Sequence, residues 1–274
     1  MLNLLWLAAV VTVSLTSGEY ASFTVTPDPY PQAWVNQGEG NTYVLYRRYN
    51  TQAMSQGSAG SCVGAAHSKG MEMLHGVPFS AEWSYGSGRK LYDWTAKPAG
   101  SNCAWAAQAG KDIGVLPAFN YAVVGHDLTA YSAERSNVWA RGPPDSLEWV
   151  ASRYRTKGFV HITTWEELRD AISQGYPVIV GSGVGFGSHT GQVRDAKGRL
   201  TSRWWSRWSH AMVFCGVSDG NSKQALLLNS WGSEWVSGPK WIGDEPDGSF
   251  WVSQRDAEKM MSYGDCWALL PINQ

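Results

Sequence analysis

Apolar positions recur at helical spacing in the first half of the chain and gather into short runs in the second half. Residues 62–74 read as a helix. Ser61 stands where an N-cap belongs, and His75-Gly76 supplies a stop. Val63, Gly64, Ala65, Ala66 and Gly70 are small, which predicts a central helix packed closely by other backbone. Residues 102–111 form a second predicted helix, and residues 146–155 a third after Gly142-Pro143-Pro144. A fourth opens at Thr164, with Glu167 as capping-box partner and Leu168, Ala171 and Ile172 as its apolar face. Residues 42–49 predict a strand. So do 176–181, 210–217, 225–229, 249–253 and 266–272, which are short, apolar and separated by turn residues. A mainly helical half followed by a mainly stranded half predicts an α+β fold with an antiparallel sheet or open barrel.

Composition sharpens this picture in three ways. The chain of 274 residues is 43% hydrophobic and 16% charged, which is core-forming and suits one large domain or two lobes sharing a cleft. A net charge of -1 gives no footprint for nucleic acid. Sixteen tryptophans point first to core and cleft walls, with a carbohydrate-stacking surface as the other reading. The four cysteines include no close pair, so neither a zinc knuckle nor a disulfide framework is expected. Cys215 falls in an apolar run and reads as inert packing. The apolar run from Leu4 to Leu15 followed by Thr16, Ser17 and Gly18 matches an export signal, although no Lys or Arg precedes it. A retained, buried N-terminal element in an intracellular protein is the alternative. No stable membrane span is expected.

Candidate chemistry concentrates at Gln56-Gly57-Ser58-Ala59-Gly60-Ser61-Cys62. Here a thiol sits in a Gly/Ser turn at the start of a helix. Far downstream come Ser209-His210-Ala211 and Asn229-Ser230-Trp231-Gly232. A thiol, an imidazole and an amide in that order are the parts of a cysteine nucleophile with its base and orienter. A helix N-terminus stabilises a thiolate, and an imidazolium beside it stabilises it further. A lone cysteine elsewhere would read as a buried hydrophobe, and His210 alone as a satisfied core histidine. Among the remaining histidines only His189, in a glycine-rich loop, offers a second base. His67 lies on the wrong side of its helix.

These segments resemble the papain-like (cathepsin-type) cysteine peptidases. The histidine falls within the roughly 130–150 residues expected after the cysteine, and the asparagine slightly beyond. Gly248-Ser249-Phe250-Trp251-Val252 and Trp267-Ala268-Leu269-Leu270-Pro271-Ile272 resemble the family's next and closing strands, so the likeness runs from about residue 45 to the C-terminus. It implies a two-lobed fold: a helical lobe over about 56–131, an insertion over about 132–157 and a β lobe over about 158–274, with the site in the cleft. Residues 1–18 would precede it as a signal or hydrophobic segment, and 19–44 as an N-terminal extension.

The resemblance implies catalytic roles for Cys62, His210, Asn229 and Gln56, with Gln56 beside the Cys62 N–H as an oxyanion hole. Trp231 would cover the His210–Asn229 bond as active-site support. Ser101 and Asn102 would stand in the substrate-binding segment, and Ala211 would line a specificity pocket. Apart from the resemblance, Trp205 in a Trp/Arg loop over residues 202–209 is expected to shape substrate choice, with simple aromatic packing as the other reading. No metal and no cofactor are implied, and the partner would be a protein or peptide substrate. Three departures mark a divergent member. Ala59 stands where the family has a bridging cysteine, and Val63 where it has an aromatic residue. Only about forty residues separate Gly18 from Cys62, too few for a full inhibitory propeptide. Two other functions stay open at this point: a catalytically silent binding or structural protein, and a cell-wall peptide amidase.

Overall fold

The small residues after Cys62 find their reason in the first helix crossing. In the computed structural model, α1 (Cys62–His75) ends where Gly76 takes a left-handed φ of 72° and returns its N–H to Glu72. A Cβ on Gly64 would lie 2.1 Å from the Ala81 carbonyl oxygen, so backbone of α2 (Ala81–Leu91) packs directly on α1. The sequence pattern did not predict α2. Its own Gly86 and Gly88 lie against the backbones of Trp139 and Trp105, which removes the apolar side chains that periodicity detects. The Ser80 hydroxyl opens α2 by accepting from the Trp83 N–H.

The structure describes residues 34–36, 41–97, 99–186, 192–200 and 204–273, with only the backbone path for 34–36 and 204–208. The signal-like segment, His189 and the Trp205 side chain lie outside the described residues.

The remaining helices are α3 (Cys103–Asp112), α4 (Ala133–Trp139), α5 (Glu148–Ala151), α6 (Trp165–Ser173) and α7 (Gln254–Met261). Asn102 caps α3 through its side-chain oxygen, and Thr164 with Glu167 forms the predicted capping box on α6. The helix expected over 146–155 is instead the four-residue α5 between two tight turns. Trp139, Leu147, Ala151 and Tyr154 from this part of the chain are buried with the side chains of α1 to α3.

The strands are β1 (Trp34–Asn36), β2 (Asn41–Val44), β3 (Asn120–Tyr121), β4 (His126–Asp127), β5 (Phe159–His161), β6 (Val178–Gly185), β7 (Gln192–Val193), β8 (Trp204–Ser218), β9 (Gln224–Leu228), β10 (Val236–Ser237), β11 (Ser249–Ser253) and β12 (Asp265–Leu269). Eight of them form one sheet in the order β1-β2-β8-β6-β12-β5, with β9 joining β8 and β11 joining β9. Its pairings are antiparallel.

Two expectations are corrected here. The strand expected over 42–49 stops at Val44, because Tyr46 and Arg47 both turn to the Asp244 carboxylate. Residues 204–209 are not a loop; they continue β8 and pair with β6, with Trp205 opposite Val184.

The period of two along the strands divides the interior into two cores. Ala211, Val213, Leu226, Leu228 and Trp251 face α1 to α3. Met212, Phe214, Leu227, Phe250 and Val252 face α6 and α7. The register of β8 on β6 shifts just beyond the Ser182–His210 pair, and such bulges re-aim neighbouring side chains. His210 therefore sits on a rigid central strand next to an irregularity, opposite the amino end of α1.

Burial also makes the fold sensitive to acid. His67 on α1 is 1% exposed; its Nδ1 meets the Ser84 hydroxyl at 3.0 Å, and burial pushes its pKa down to about 4. The unfolded chain would protonate this ring near pH 6.5. Between those values the unfolded state binds the extra proton, so stability is full above about pH 6.5 and falls as pH drops toward 4. Half-buried His75, which accepts the Ile272 N–H, is also pushed down to about 4 and adds in the same direction. Urea unfolding at pH 7.5 and 4.5 should show a loss on the order of 3 kcal/mol from His67 alone. A His67→Gln variant should lose less stability over that range.

Candidate active site

Cys62 is partly exposed, and its thiol is held above the usual cysteine range by opposing influences. Burial pushes the Cys62 thiol up, and the nearby Asp265 carboxylate adds to that. Against this, backbone N–H groups of Ala211, Val63 and Cys62 itself bond the sulfur and pull it down. Two of those donors are the free N–H groups of the first turn of α1. The third comes from β8, one residue past His210. Sulfur, helix terminus and histidine-bearing strand thus converge.

The His210 ring has one nitrogen committed. Its Nε2 is 2.7 Å from Asn229 Oδ1, and the same oxygen accepts the Ser230 N–H at 2.7 Å. That second bond fixes which end of the amide faces the ring. An amide oxygen only accepts, so Nε2 carries the hydrogen in this bond. Trp231 stacks on the imidazole, with centroids 4.6 Å apart and planes at 28°. Trp235 meets Trp231 at a near-perpendicular angle with centroids 5.2 Å apart. His210 and Asn229 are both buried, so their hydrogen bond is shielded from water and strengthened.

Gln56 is held from both ends of its amide. Its Oε1 accepts from the Ser230 hydroxyl at 2.5 Å, and its Nε2 donates to the Ala59 carbonyl at 2.8 Å. Its backbone N–H bonds the Ser230 carbonyl. One amide hydrogen remains for another acceptor. The segments carrying Gln56, Cys62, His210 and Asn229 are therefore tied to one another, and Ser230 is the link that sequence motifs alone did not single out.

The remaining expected residues divide. Ala211 is buried in the core and contributes its N–H to the sulfur. The Asn102 side chain is spent capping α3, and the Ser101 hydroxyl is buried without a hydrogen-bond partner among the described residues. Asp265 had no sequence signal; it accepts the N–H groups of Cys103 and Ala104 and the indole N–H of Trp267, anchoring α3 to β12. All four cysteines are free. Burial raises the Cys103, Cys215 and Cys266 thiols. Ala59 and Val63 are both buried, so the departures noted in the sequence are filled by packing. Among the described residues no group of three or more His, Cys, Asp or Glu could hold a metal ion, and no helix is long and apolar enough to cross a membrane.

The sequence matches no protein-family model and no curated protein. Solved structures do match. Xylellain, a cysteine protease from Xylella fastidiosa, is 17% identical with a TM-score of 0.57, over 81% of this chain and 83% of that one. Digestive procathepsin L 3 from the larval midgut of Tenebrio molitor is 16% identical with a TM-score of 0.54, over 90% and 72%. The proform of the ragweed cysteine protease Amb a 11 gives 16% and 0.53, over 84% and 66%. The chain has the papain-like fold. Within the papain-like fold, α1 crosses the sheet with its amino end at β8, which is where Cys62 meets the His210 strand.

Proposed function

We propose that the chain is a cysteine peptidase in which Cys62 is the nucleophile. The observation that carries this is the convergence on one sulfur of the α1 amino end and the β8 strand, with His210 oriented by Asn229 beneath Trp231. The Cys62 proton passes to His210 Nδ1, and Sγ attacks the carbonyl carbon of the scissile bond. The negative oxygen that forms takes hydrogen bonds from the Cys62 N–H and the second Gln56 amide hydrogen. His210 then protonates the leaving amine as the C–N bond breaks, giving a thioester. Water, losing a proton to His210, attacks that thioester and releases the acid product and the thiol.

A peptide or protein amide is the substrate class that suits this acyl-thioester route. Digestion of a mixed peptide library by the purified chain, with a Cys62→Ala control, tests this. Cleaved peptides from the parent only would support the reading. Cleavage confined to cell-wall peptides would make it an amidase, and no cleavage of either kind would favour a silent binding protein.

A further inference from the structure

Ser61 occupies the N-cap position of α1 but makes no capping bond. Serine at this position ordinarily accepts an N–H from the second or third residue of the helix. Here Ser61 is fully buried, and its hydroxyl lies 2.8 Å from the Tyr131 hydroxyl instead. Tyr131 donates its own hydrogen to the Gln56 carbonyl at 3.0 Å, so Ser61 must be the donor to Tyr131. Ser61 also has ψ of 23°, away from the extended backbone that capping serines adopt. One phenol therefore holds both ends of the turn from Gln56 to Cys62.

We infer that Tyr131 is a positioning residue for the nucleophile: it keeps the Ser61 hydroxyl off the amino end of α1, leaving those N–H groups to the Cys62 sulfur. The inference rests on the peptidase reading for its purpose but not for its test. The titratable groups that face the sulfur are Asp265 from β12 and Cys103 from α3, while Glu82 and Tyr85 of α2 and the Ser136 hydroxyl of α4 face Tyr131. None of these supplies the N–H donors, so the cap is the element that Tyr131 controls. Without the phenol oxygen, the buried Ser61 hydroxyl loses its acceptor. Its nearest remedy is to cap its own helix, taking the Val63 or Gly64 N–H.

The test is the pH dependence of Cys62 alkylation by iodoacetamide in the full chain, with the adduct located by mass spectrometry. Tyr131→Phe keeps the half-buried ring and should lower the alkylation rate on the acid limb about tenfold, one unit of thiolate midpoint. Adding Ser61→Ala removes the competing hydroxyl and should restore the parental profile, which a general loosening of the turn would not allow. An unshifted Tyr131→Phe profile would overturn the inference. So would a shift that Ser61→Ala fails to correct. The double variant removes the Ser61 hydroxyl together with its acceptor, so it remains readable if the single variant does not fold, and a shifted profile there is equally contrary. A parental profile typical of an ordinary thiol would count against the peptidase reading alone, since the shift between variants would still be measured.

Discussion

Cys62→Ser should abolish peptide cleavage, lowering kcat by roughly 10⁶, the scale seen when a nucleophile acting as a unit with its base is removed. The size of the loss follows from the surroundings of the sulfur. The Ala211, Val63 and Cys62 N–H groups stabilise a negative atom, and a thiol can become one near neutral pH where a hydroxyl cannot. Serine at position 62 would leave these donors and the oriented His210 ring in place, so the fold and substrate affinity should survive. Peptide binding by the inactive variant, measured by fluorescence anisotropy, should match the KM range of the parent. Residual turnover within tenfold of the parent would mean that the sulfur is not the attacking atom.

The second large effect is expected at Gln56. Replacing it with alanine should cost about 3 kcal/mol of transition-state stabilisation, a fall of 10²–10³ in kcat with little change in KM. Part of that comes from the oxyanion donor and part from the scaffold. Gln56 accepts the Ser230 hydroxyl and donates to Ala59, so its loss also releases the link between the turn and the strand carrying Asn229. Ser230→Ala separates the two contributions. It leaves the amide in place but frees one end, and should produce a smaller fall in the same direction. Steady-state kinetics on one good peptide from the library decide both. An equal rise in KM for Gln56→Ala would assign the residue to substrate binding instead.

The α+β architecture was legible because its strands carry strong period-two and apolar-run signals: residues 249–253 match β11, and the Thr164–Glu167 box marks α6. The helix bearing Cys62 was legible for a different reason, its cap position and glycine stop. What stayed hidden lay in tertiary contacts. Helix α2 escaped notice because its close-packing glycines erase periodicity. The strand over 204–209 looked like a loop because its Trp and Arg residues do not alternate with polar ones. Within the site, the order Gln, Cys, His and Asn was readable from motifs. Tyr131 and Asp265 were not, since each acts through hydrogen bonds to backbone or hydroxyl groups far away in sequence.

The most direct test of the Cys62 nucleophile is covalent labelling of the folded chain by an epoxide-type thiol-protease inactivator. Burial raises all four thiols, but three of them are fully enclosed, whereas Cys62 is partly exposed beneath a set of N–H donors. Mass spectrometry should find a single adduct, on Cys62, formed at neutral pH, lost on unfolding beforehand and slowed strongly by His210→Ala. An unmodified Cys62 in the folded protein, or labelling as rapid in the denatured chain, would contradict an activated nucleophile at this position.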